Sequence, residues 1–226
     1  ATDRIKTSDQ YGVEIKNILS LFEVPVETVE DVIISSVVPP VFNAVRTGAY
    51  KVTGLTPMVV GPGIKTGLNI QMDNPASVGS DLIVAAVAAL QEYTAPLMLI
   101  DMGTATTITV VDQGNNYIGG AIIPGVRVSA EALSSRAAQL PGIQLDRPKR
   151  AIGKNTIECM RSGIMYGAAA MLDGMVERME AELGKPVTVV ATGGIAQFIV
   201  PLCKREMTIE KDLLLKGLNV IYKKNR

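Results

Sequence analysis

The stretch Asp101-Met-Gly-Thr-Ala-Thr-Thr107 directly follows the apolar run Leu97-Met-Leu-Ile100. An apolar run that ends in small and hydroxyl-bearing residues is typical of a buried strand leading into a tight turn. The turn offers backbone amides and the hydroxyls of Thr104, Thr106 and Thr107, which are donors suited to phosphate oxygens. The stretch therefore predicts an α/β protein with a phosphate-binding turn at the end of a central strand.

A second strand and turn of the same type occurs later in the chain. Val187-Thr-Val-Val-Ala191 is apolar or β-branched throughout and runs into Thr192-Gly193-Gly194. These glycines, like Gly103 in the first turn, allow a ligand to approach the backbone closely. Two such turns predict two loops that hold one nucleotide from opposite sides. This pattern favours a phosphoryl-transfer enzyme over a dinucleotide-binding protein.

The composition excludes several other classes of protein. The 226 residues are 47% hydrophobic and 19% charged, which is enough apolar material for a full core. Lys and Arg together number 22, as do Asp and Glu, and aromatic residues make up only 4%, so we expect no nucleic-acid partner. The longest apolar run, Leu82 to Leu90, is much shorter than a membrane span, so we expect no membrane partner.

The chain contains no histidine, which excludes catalysis by Ser-His or Cys-His pairs and leaves a carboxylate as the expected general base. Cys159 and Cys203 are far apart and lack metal-ligand spacing, so we expect reduced thiols in a cytoplasmic protein. Because the chain opens at Ala1 rather than at Met, we also expect that residues precede it in the natural protein.

Helical and strand patterns alternate along the chain and predict an α/β fold with a mixed sheet. Pro96 follows a short polar turn, and we take it as the boundary between domains 1–95 and 96–226. The predicted helices are 8–22, 42–50, 82–93, 124–138, 155–183 and 213–223, and the predicted strands are 31–38, 58–60, 97–100, 107–111, 117–123 and 187–191. Residues 61–75 are predicted to form a loop.

Many further motifs together resemble the type III pantothenate kinases, in family order and over essentially the whole chain. They are Ile33-Ile-Ser-Ser-Val-Val-Pro-Pro40, Gly61-Pro-Gly-Ile-Lys-Thr-Gly67, Asp73-Asn-Pro75, Val78-Gly-Ser-Asp81, Asp101-Met-Gly-Thr-Ala-Thr106, Gly119-Gly-Ala-Ile-Ile-Pro-Gly125, Arg147-Pro-Lys149, Gly153-Lys-Asn-Thr156 and Ala191-Thr-Gly-Gly194. Each motif alone is weak evidence, but the set is highly specific.

The resemblance implies phosphorylation of pantothenate by ATP, the first step of coenzyme A synthesis. It implies two actin-like (ribonuclease H-like) domains with mixed sheets flanked by helices and a nucleotide cleft between them. It also implies a homodimer, Mg²⁺ and a monovalent cation, K⁺ or NH₄⁺. By the same resemblance, ATP contacts Gly103, Thr104, Thr106 and the turn Thr192-Gly193-Gly194.

Two acidic residues have a structural and a functional interpretation each. Asp81 precedes an apolar helix and would serve as its N-cap, whereas the resemblance makes it the catalytic base that accepts the proton of the pantothenate hydroxyl. Asp101 at a strand end would form an Asx-turn, whereas the resemblance makes it the ligand of the monovalent cation.

The resemblance also assigns pantothenate contacts to Met72, Gly79, Ser80, Leu82 and Thr156. Thr156 has a structural interpretation too, because Asn155 and Glu158 fit a capping box at the start of a helix.

Three features of the sequence depart from the family pattern. A first phosphate-binding loop of the form Asp-x-Gly-Asn-Thr does not occur in this chain, Leu82 stands where the family has Arg, and Met72 stands where it often has Tyr. Leu82 and Met72 leave open an alternative function, that of a catalytically impaired actin-like homologue with a regulatory or accessory role.

Small residues recur along the longest predicted helix, at Gly163, Gly167, Ala170 and Gly174. Each interior glycine costs about 1 kcal/mol of helix propensity relative to Ala, so a stripe of them predicts the close approach of another backbone. Two interpretations of this stripe are open: it packs on the sheet of its own chain, or it forms a two-fold interface between subunits. The resemblance to a dimeric family favours the interface, which we call the seam.

Overall fold

The computed structural model describes residues 5–226. Its helices and strands in chain order are α1 (Ser8–Leu21), β1 (Ile33–Ile34), α2 (Pro39–Thr53), β2 (Met58–Val59), β3 (Asn69–Ile70), α3 (Ser80–Glu92), β4 (Leu97–Met102), β5 (Ala105–Val111), β6 (Asn116–Pro124), α4 (Val126–Arg136), α5 (Thr156–Leu183), β7 (Thr188–Thr192), α6 (Ala196–Ile199), β8 (Thr208–Ile209) and α7 (Leu213–Asn225).

A six-stranded mixed sheet forms the centre of the larger part of the chain. Its strand order is β3-β6-β5-β4-β7-β8. Strands β4, β5 and β6 form an antiparallel meander, while β7 pairs with β4 and β8 pairs with β7 in parallel. The side chains of Leu97, Met98, Leu99 and Ile100 are all buried, as expected for a central strand covered on both faces. The mixed sheet predicted from the sequence is therefore confirmed.

Helix α5 packs on one face of this sheet. Its buried residues Met165, Leu172 and Val176 join Met98 and Ile100 of β4 in one hydrophobic cluster. The helix begins after the N-cap Asn155 and ends at Gly184, whose φ of 68° lies in the left-handed region that glycine adopts most readily. The long helix predicted for 155–183 is thus confirmed almost to the residue.

The chain divides into two compact units. One comprises the residues up to Gly67, Ala76–Ala88 and Leu214–Arg226, and the other comprises Leu68–Pro75 and Ala89–Leu213. In the first unit, β1 and β2 form a two-stranded parallel sheet. These units are assembled from several stretches of chain rather than by a single cut, and the division into domains 1–95 and 96–226 stays a prediction.

Several short elements differ from their sequence-based predictions. The strand predicted for 31–38 contracts to Ile33–Ile34, because the backbone beyond it turns and Pro39 then opens α2. The region 61–75, predicted as a loop, contains β3, which pairs in parallel with β6. No helix within residues 5–226 is both long and apolar enough to cross a membrane.

Candidate functional site

The candidate residues form two groups, one in each compact unit. In the first unit, Asp81 is the second residue of α3. The carbonyl of Gly79 accepts hydrogen bonds from the amides of Leu82 at 3.1 Å and Ile83 at 3.3 Å, so Gly79 rather than Asp81 is the N-cap. Oδ1 of Asp81 accepts the Leu82 amide at 2.9 Å. A carboxylate here is stabilised by the positive end of the helix dipole while it remains half-exposed.

Gly79 and Ser80 fix the surroundings of this carboxylate. A methyl group added at Gly79 would lie 2.5 Å from Oδ1 of Asp81, so only glycine leaves the carboxylate in this position. The Ser80 hydroxyl lies 2.8 Å from the hydroxyl of Ser35, which follows β1. The structure therefore brings together Gly79, Ser80, Asp81 and Leu82 and attaches them to the end of the parallel sheet.

In the second unit, Asp101 lies in a row of polar side chains across three strands. Its register partners are Thr107 on β5 and Thr192 on β7. Paired residues in neighbouring strands project from the same face of a sheet, so the carboxylate lies between two threonine side chains. Oxygen atoms arranged in this way are the ligands that hard cations prefer.

The turn after β4 presents Thr104 to solvent. The Gly103 amide donates to the Ala105 carbonyl at 3.0 Å, so that amide is used inside the turn. The Thr104 carbonyl accepts the Gly125 amide at 3.1 Å, and a methyl group at Gly125 would lie only 2.2 Å from that carbonyl oxygen. Gly103 and Thr104 are both exposed, and within residues 5–226 the Thr104 amide and hydroxyl have no hydrogen-bond partner. Thr104 is therefore able to bind a ligand.

The turn after β7 lies directly beside the Asp101 carboxylate. Gly193 has a φ of 94°, and a methyl group on it would lie 2.7 Å from Oδ1 of Asp101 and 2.6 Å from the Met102 carbonyl oxygen. Gly194 is exposed, and a methyl group there would meet no atom within 4 Å. Thr192, Gly193, Gly194 and Asp101 are thus brought together, with open space above the second glycine.

Thr106 differs from these neighbours. It pairs with Met102, so its side chain projects from the face opposite to that of Asp101. The residue is fully buried, and its hydroxyl has no hydrogen-bond partner in the part of the chain that the structure describes. A direct bond from this hydroxyl to ATP stays a prediction that its burial does not favour. Thr107, which shares the face of Asp101, is better placed.

Thr156 is the exposed first residue of α5. The Asn155 side chain accepts the Glu158 amide at 2.9 Å, as predicted, but the Glu158 carboxylate accepts the Lys154 amide rather than closing the box on Asn155. That bond from Lys154 is the main reason why the pKa of Glu158 lies below its ordinary value. These capping bonds do not use the Thr156 hydroxyl. Capping of α5 and binding of a ligand by Thr156 are therefore compatible.

Met72 follows β3 in the second unit and lies against β6. Its sulfur is 3.7 Å from the position that a methyl group on Gly119 would occupy. Gln71 beside it donates its amide to the Tyr117 carbonyl at 2.8 Å. The bond from Gln71 therefore fixes the backbone next to Met72 at the edge of the sheet.

The glycines along α5 do not pack against the chain's own sheet. Methyl groups added at Gly163 and Gly167 would meet no atom within 4 Å, and both residues are exposed, as is Ala170. At Gly174 the nearest atom belongs to Arg178 of the same helix. Of the two interpretations, close packing against residues 5–226 of the same subunit is excluded for Gly163 and Gly167.

Two observations limit the chemistry of these sites. Burial, with a smaller contribution from Asp173, raises the pKa of Cys203 to about 12, so this thiol stays protonated and is not a nucleophile. Within residues 5–226, no three Cys, Asp or Glu side chains are grouped so that they could hold a metal ion. A cation at Asp101 would therefore draw its other ligands from hydroxyl or carbonyl oxygens, phosphate and water.

Sequence reasoning missed Ser35 and Gly125 as parts of these groups, and it named Thr107 as a donor to phosphate without pairing it with Asp101. Ser35 and Gly125 lie in motifs of the family, yet nothing in the sequence pairs them with Ser80 or Thr104. The alternation of side chains along β5 places Thr106 and Thr107 on opposite faces, but the sequence does not show which of them faces Asp101.

Comparison with known proteins identifies the family. A model of the type III pantothenate kinases matches residues 1–178. A type III pantothenate kinase of Exiguobacterium sp. is 46% identical over 226 residues, covering 100% of this chain and 89% of that protein. A type III pantothenate kinase of Bacillus cytotoxicus is 45% identical over 224 residues, covering 99% of this chain and 86% of that protein.

Solved structures agree with this result at the level of the fold. A protein of Campylobacter jejuni assigned to the Baf family of transcriptional activators matches with a TM-score of 0.60 and 18% identity, over 92% of this chain and 88% of that one. The ethanolamine utilization protein EutJ of Carboxydothermus hydrogenoformans matches with a TM-score of 0.50 and 14% identity, over 97% of this chain and 78% of that one. The predicted actin-like α/β fold is confirmed. With the family model matching most of its length and relatives nearly half identical, the chain belongs to the type III pantothenate kinase family.

Proposed function

We propose that this chain transfers the γ-phosphate of ATP to pantothenate in the cytoplasm, forming 4'-phosphopantothenate in the first step of coenzyme A synthesis. The observation that carries the proposal is Asp81, a carboxylate held at the start of α3 in a chain 46% identical to a type III pantothenate kinase. Because the chain contains no histidine, a carboxylate is the natural base for an alcohol substrate.

Asp81 acts on the primary hydroxyl of pantothenate. As the hydroxyl oxygen forms a bond to the γ-phosphorus, the bond from that phosphorus to the β–γ bridging oxygen breaks and ADP leaves. The hydroxyl proton passes to the Asp81 carboxylate. Phosphoryl transfer needs little covalent assistance, so orientation of the hydroxyl by this carboxylate is as important as proton removal.

The second unit supplies the nucleotide contacts. Thr104 offers an amide and a hydroxyl to phosphate oxygens, and the open backbone at Gly194 accommodates adenosine. Mg²⁺ commonly uses one or two carboxylates together with substrate phosphates and water, and the resemblance assigns its carboxylate to the first phosphate-binding loop, which does not occur in this chain. When bound, Mg²⁺ would neutralise charge on the phosphates.

Gly79, Ser80, Leu82, Met72 and Thr156 are the proposed pantothenate contacts. Thr156 is supported by its place at the start of α5, where backbone amides favour a carboxylate such as that of pantothenate. Leu82 brings no guanidinium, so recognition by Leu82 would be through apolar contact alone.

A coupled assay of ADP release with and without pantothenate tests the proposal. Turnover that depends on pantothenate is the expected result. ATP binding without such turnover would instead support the catalytically impaired, regulatory alternative that Leu82 and Met72 leave open.

Asp101 is the proposed ligand of the monovalent cation, supported by the threonine side chains on either side of it. We expect higher activity in K⁺ than in Na⁺ at constant ionic strength, and we expect Asp101→Asn to abolish the difference because the amide lacks the negative charge. Initial rates in the two salts measure this. Asp212→Asn, which removes an exposed carboxylate elsewhere, should keep the salt preference. Equal rates in both salts for the unaltered protein would remove the cation from the mechanism.

We also propose a homodimer formed through α5. The support is the exposed stripe of Gly163, Gly167 and Ala170, since glycine in a helix interior needs a reason and open space surrounds these positions within one subunit.

We expect Gly167→Leu to convert the dimer to a monomer without unfolding it. A methyl group at this position would meet no atom of residues 5–226 within 4 Å, but at a tight seam overpacking costs about 1–3 kcal/mol. Sedimentation measures the oligomeric state and circular dichroism the fold. Ala181→Leu is the matched control, because it enlarges an exposed residue about 20 Å further along the same helix. A Gly167→Leu protein that sediments as a stable dimer would contradict the seam.

A further inference from the structure

The loop Gly61-Pro-Gly-Ile-Lys-Thr-Gly67 is shared with the family, but none of its residues is among the proposed catalytic or binding residues. The structure attaches this loop to α7. Oδ1 of Asn225 accepts the Lys65 amide at 2.9 Å, and Nδ2 of the same side chain donates to the Lys65 carbonyl at 2.8 Å. Both backbone groups of Lys65 are therefore bonded to a single asparagine side chain.

Two neighbouring contacts strengthen this attachment. Nδ2 of Asn225 also donates to the Ile221 carbonyl of α7 at 2.8 Å, which fixes the orientation of the amide group. Nζ of Lys224 donates to the Thr66 carbonyl at 3.0 Å. Gly67 has a φ of 75°, and a methyl group on it would collide with that ammonium group. The last turn of α7 thus binds two consecutive loop residues by their backbone and requires a glycine at the next position.

Helix α7 also packs on α3, whose second residue is Asp81. A methyl group added at Gly217 of α7 would lie 2.1 Å from the Val84 carbonyl oxygen, so the two helix backbones are in contact at this point. Val84 is fully buried and lies less than one helical turn beyond Asp81. Helix α7 therefore contacts α3 close to the candidate base.

These contacts fix one stretch of the chain at both of its ends. Residues 68–83, which we call the acceptor segment, connect the loop to Val84, and both of these anchor points lie in the first unit. The acceptor segment carries all the proposed pantothenate contacts except Thr156, together with the candidate base: Met72, Gly79, Ser80, Asp81 and Leu82. A segment whose ends are fixed loses less conformational freedom when it binds a substrate.

We propose that Asn225 and Lys224 are positioning residues for the acceptor alcohol: they fix the loop and thereby hold the acceptor segment in its binding conformation. The inference rests on the proposed function, because the proposed pantothenate contacts define the acceptor segment. The proposed ATP contacts Thr104 and Gly194 follow β4 and β7 and lie outside this segment. The effect of the two residues should therefore be confined to pantothenate.

Asn225→Ala removes the bonds of this side chain to Lys65 and Ile221. A distant substitution that misplaces reacting groups by about 1 Å can cost about 10²-fold, and we expect the KM for pantothenate to rise at least about fivefold. The dissociation constant of ATP, measured by isothermal titration, should stay unchanged. A loss of folded protein alone would lower kcat and leave the KM for pantothenate unchanged. Hydrogen exchange over residues 61–70 should become faster, because the Lys65 amide loses its acceptor.

Asn219→Ala is the matched control, because Asn219 is an exposed asparagine of the same helix whose side chain makes no hydrogen bond within residues 5–226. It should leave both the KM and the hydrogen exchange unchanged. Lys224→Met and Lys223→Met form a second pair in which both side chains are exposed, so the fold is not at risk. Only Lys224→Met removes the bond to the Thr66 carbonyl, and it should raise the KM for pantothenate at least about twofold.

An Asn225→Ala protein with an unchanged KM for pantothenate would overturn the inference while leaving the proposed function intact, even if its Tm is lower. If Asn225→Ala does not fold, the lysine pair decides, and an equal KM in Lys224→Met and Lys223→Met would overturn the inference. An unaltered protein without pantothenate-dependent turnover would overturn both the inference and the proposed function.

Discussion

Replacement of Asp81 by asparagine should lower pantothenate-dependent turnover by about 10²–10⁴-fold, the range typical for loss of a general base. The asparagine amide can still accept the Leu82 amide through its oxygen, so the start of α3 should keep its structure. It cannot accept the proton of the substrate hydroxyl. The loss should therefore fall on kcat, while ATP binding, measured by titration, stays nearly unchanged.

Asp9→Asn controls for the helix-dipole contribution. Asp9, like Asp81, is the second residue of a helix, and its carboxylate is paired with Lys51 at 2.7 Å. Each replacement removes a negative charge at a helix start, worth about 0.3–1 kcal/mol of stability. Only the Asp81 variant should lose turnover. If Asp81→Asn retained normal kcat, Asp81 would be a structural residue of the helix start alone.

The parts of the fold that could be predicted are those specified by local pattern. The apolar run at Leu97–Ile100 identified a central strand, and the helical spacing over residues 155–183 identified α5. Strand β3, Asn69–Ile70, could not be found in the same way. It has only two residues, it lies in a stretch rich in Gly and Asn, and its partner Asn116–Tyr117 is distant in sequence. Pairing of this kind is decided by tertiary contacts rather than by local propensity.

The residues of the candidate site also differ in whether the local sequence could identify them. Asp81 and Asp101 stand at junctions of an apolar element with a turn, which is visible in sequence, but that position alone indicates a helix cap and an Asx-turn, and the resemblance to the family supplied their functional roles. The face on which each threonine of β5 lies was not visible, since alternation separates Thr106 from Thr107 but does not say which one faces Asp101. The bond between Ser35 and Ser80 likewise depends on how distant segments meet.

Gly193→Ala should have a large effect on both stability and ATP affinity. The added methyl group would lie 2.6 Å from the Met102 carbonyl oxygen and 2.7 Å from Oδ1 of Asp101, and the φ of 94° is unfavourable for alanine. Such backbone strain costs about 1–3 kcal/mol, and forced contact costs a similar amount. The turn must move away from Asp101, so the proposed cation ligand and the proposed adenosine contact should change together.

Thermal unfolding and the KM for ATP measure the two effects. Each kcal/mol should lower Tm by about 2–4 °C for a chain of this size, and we expect the KM for ATP to rise at least about tenfold if one charge-assisted contact is lost. Gly194→Ala separates the two effects, because its methyl group meets no protein atom within 4 Å. It should leave Tm unchanged but weaken ATP binding if adenosine lies on this backbone. A Gly193→Ala protein with normal Tm and normal ATP affinity would show that the turn tolerates a side chain, and the nucleotide would then have to bind elsewhere.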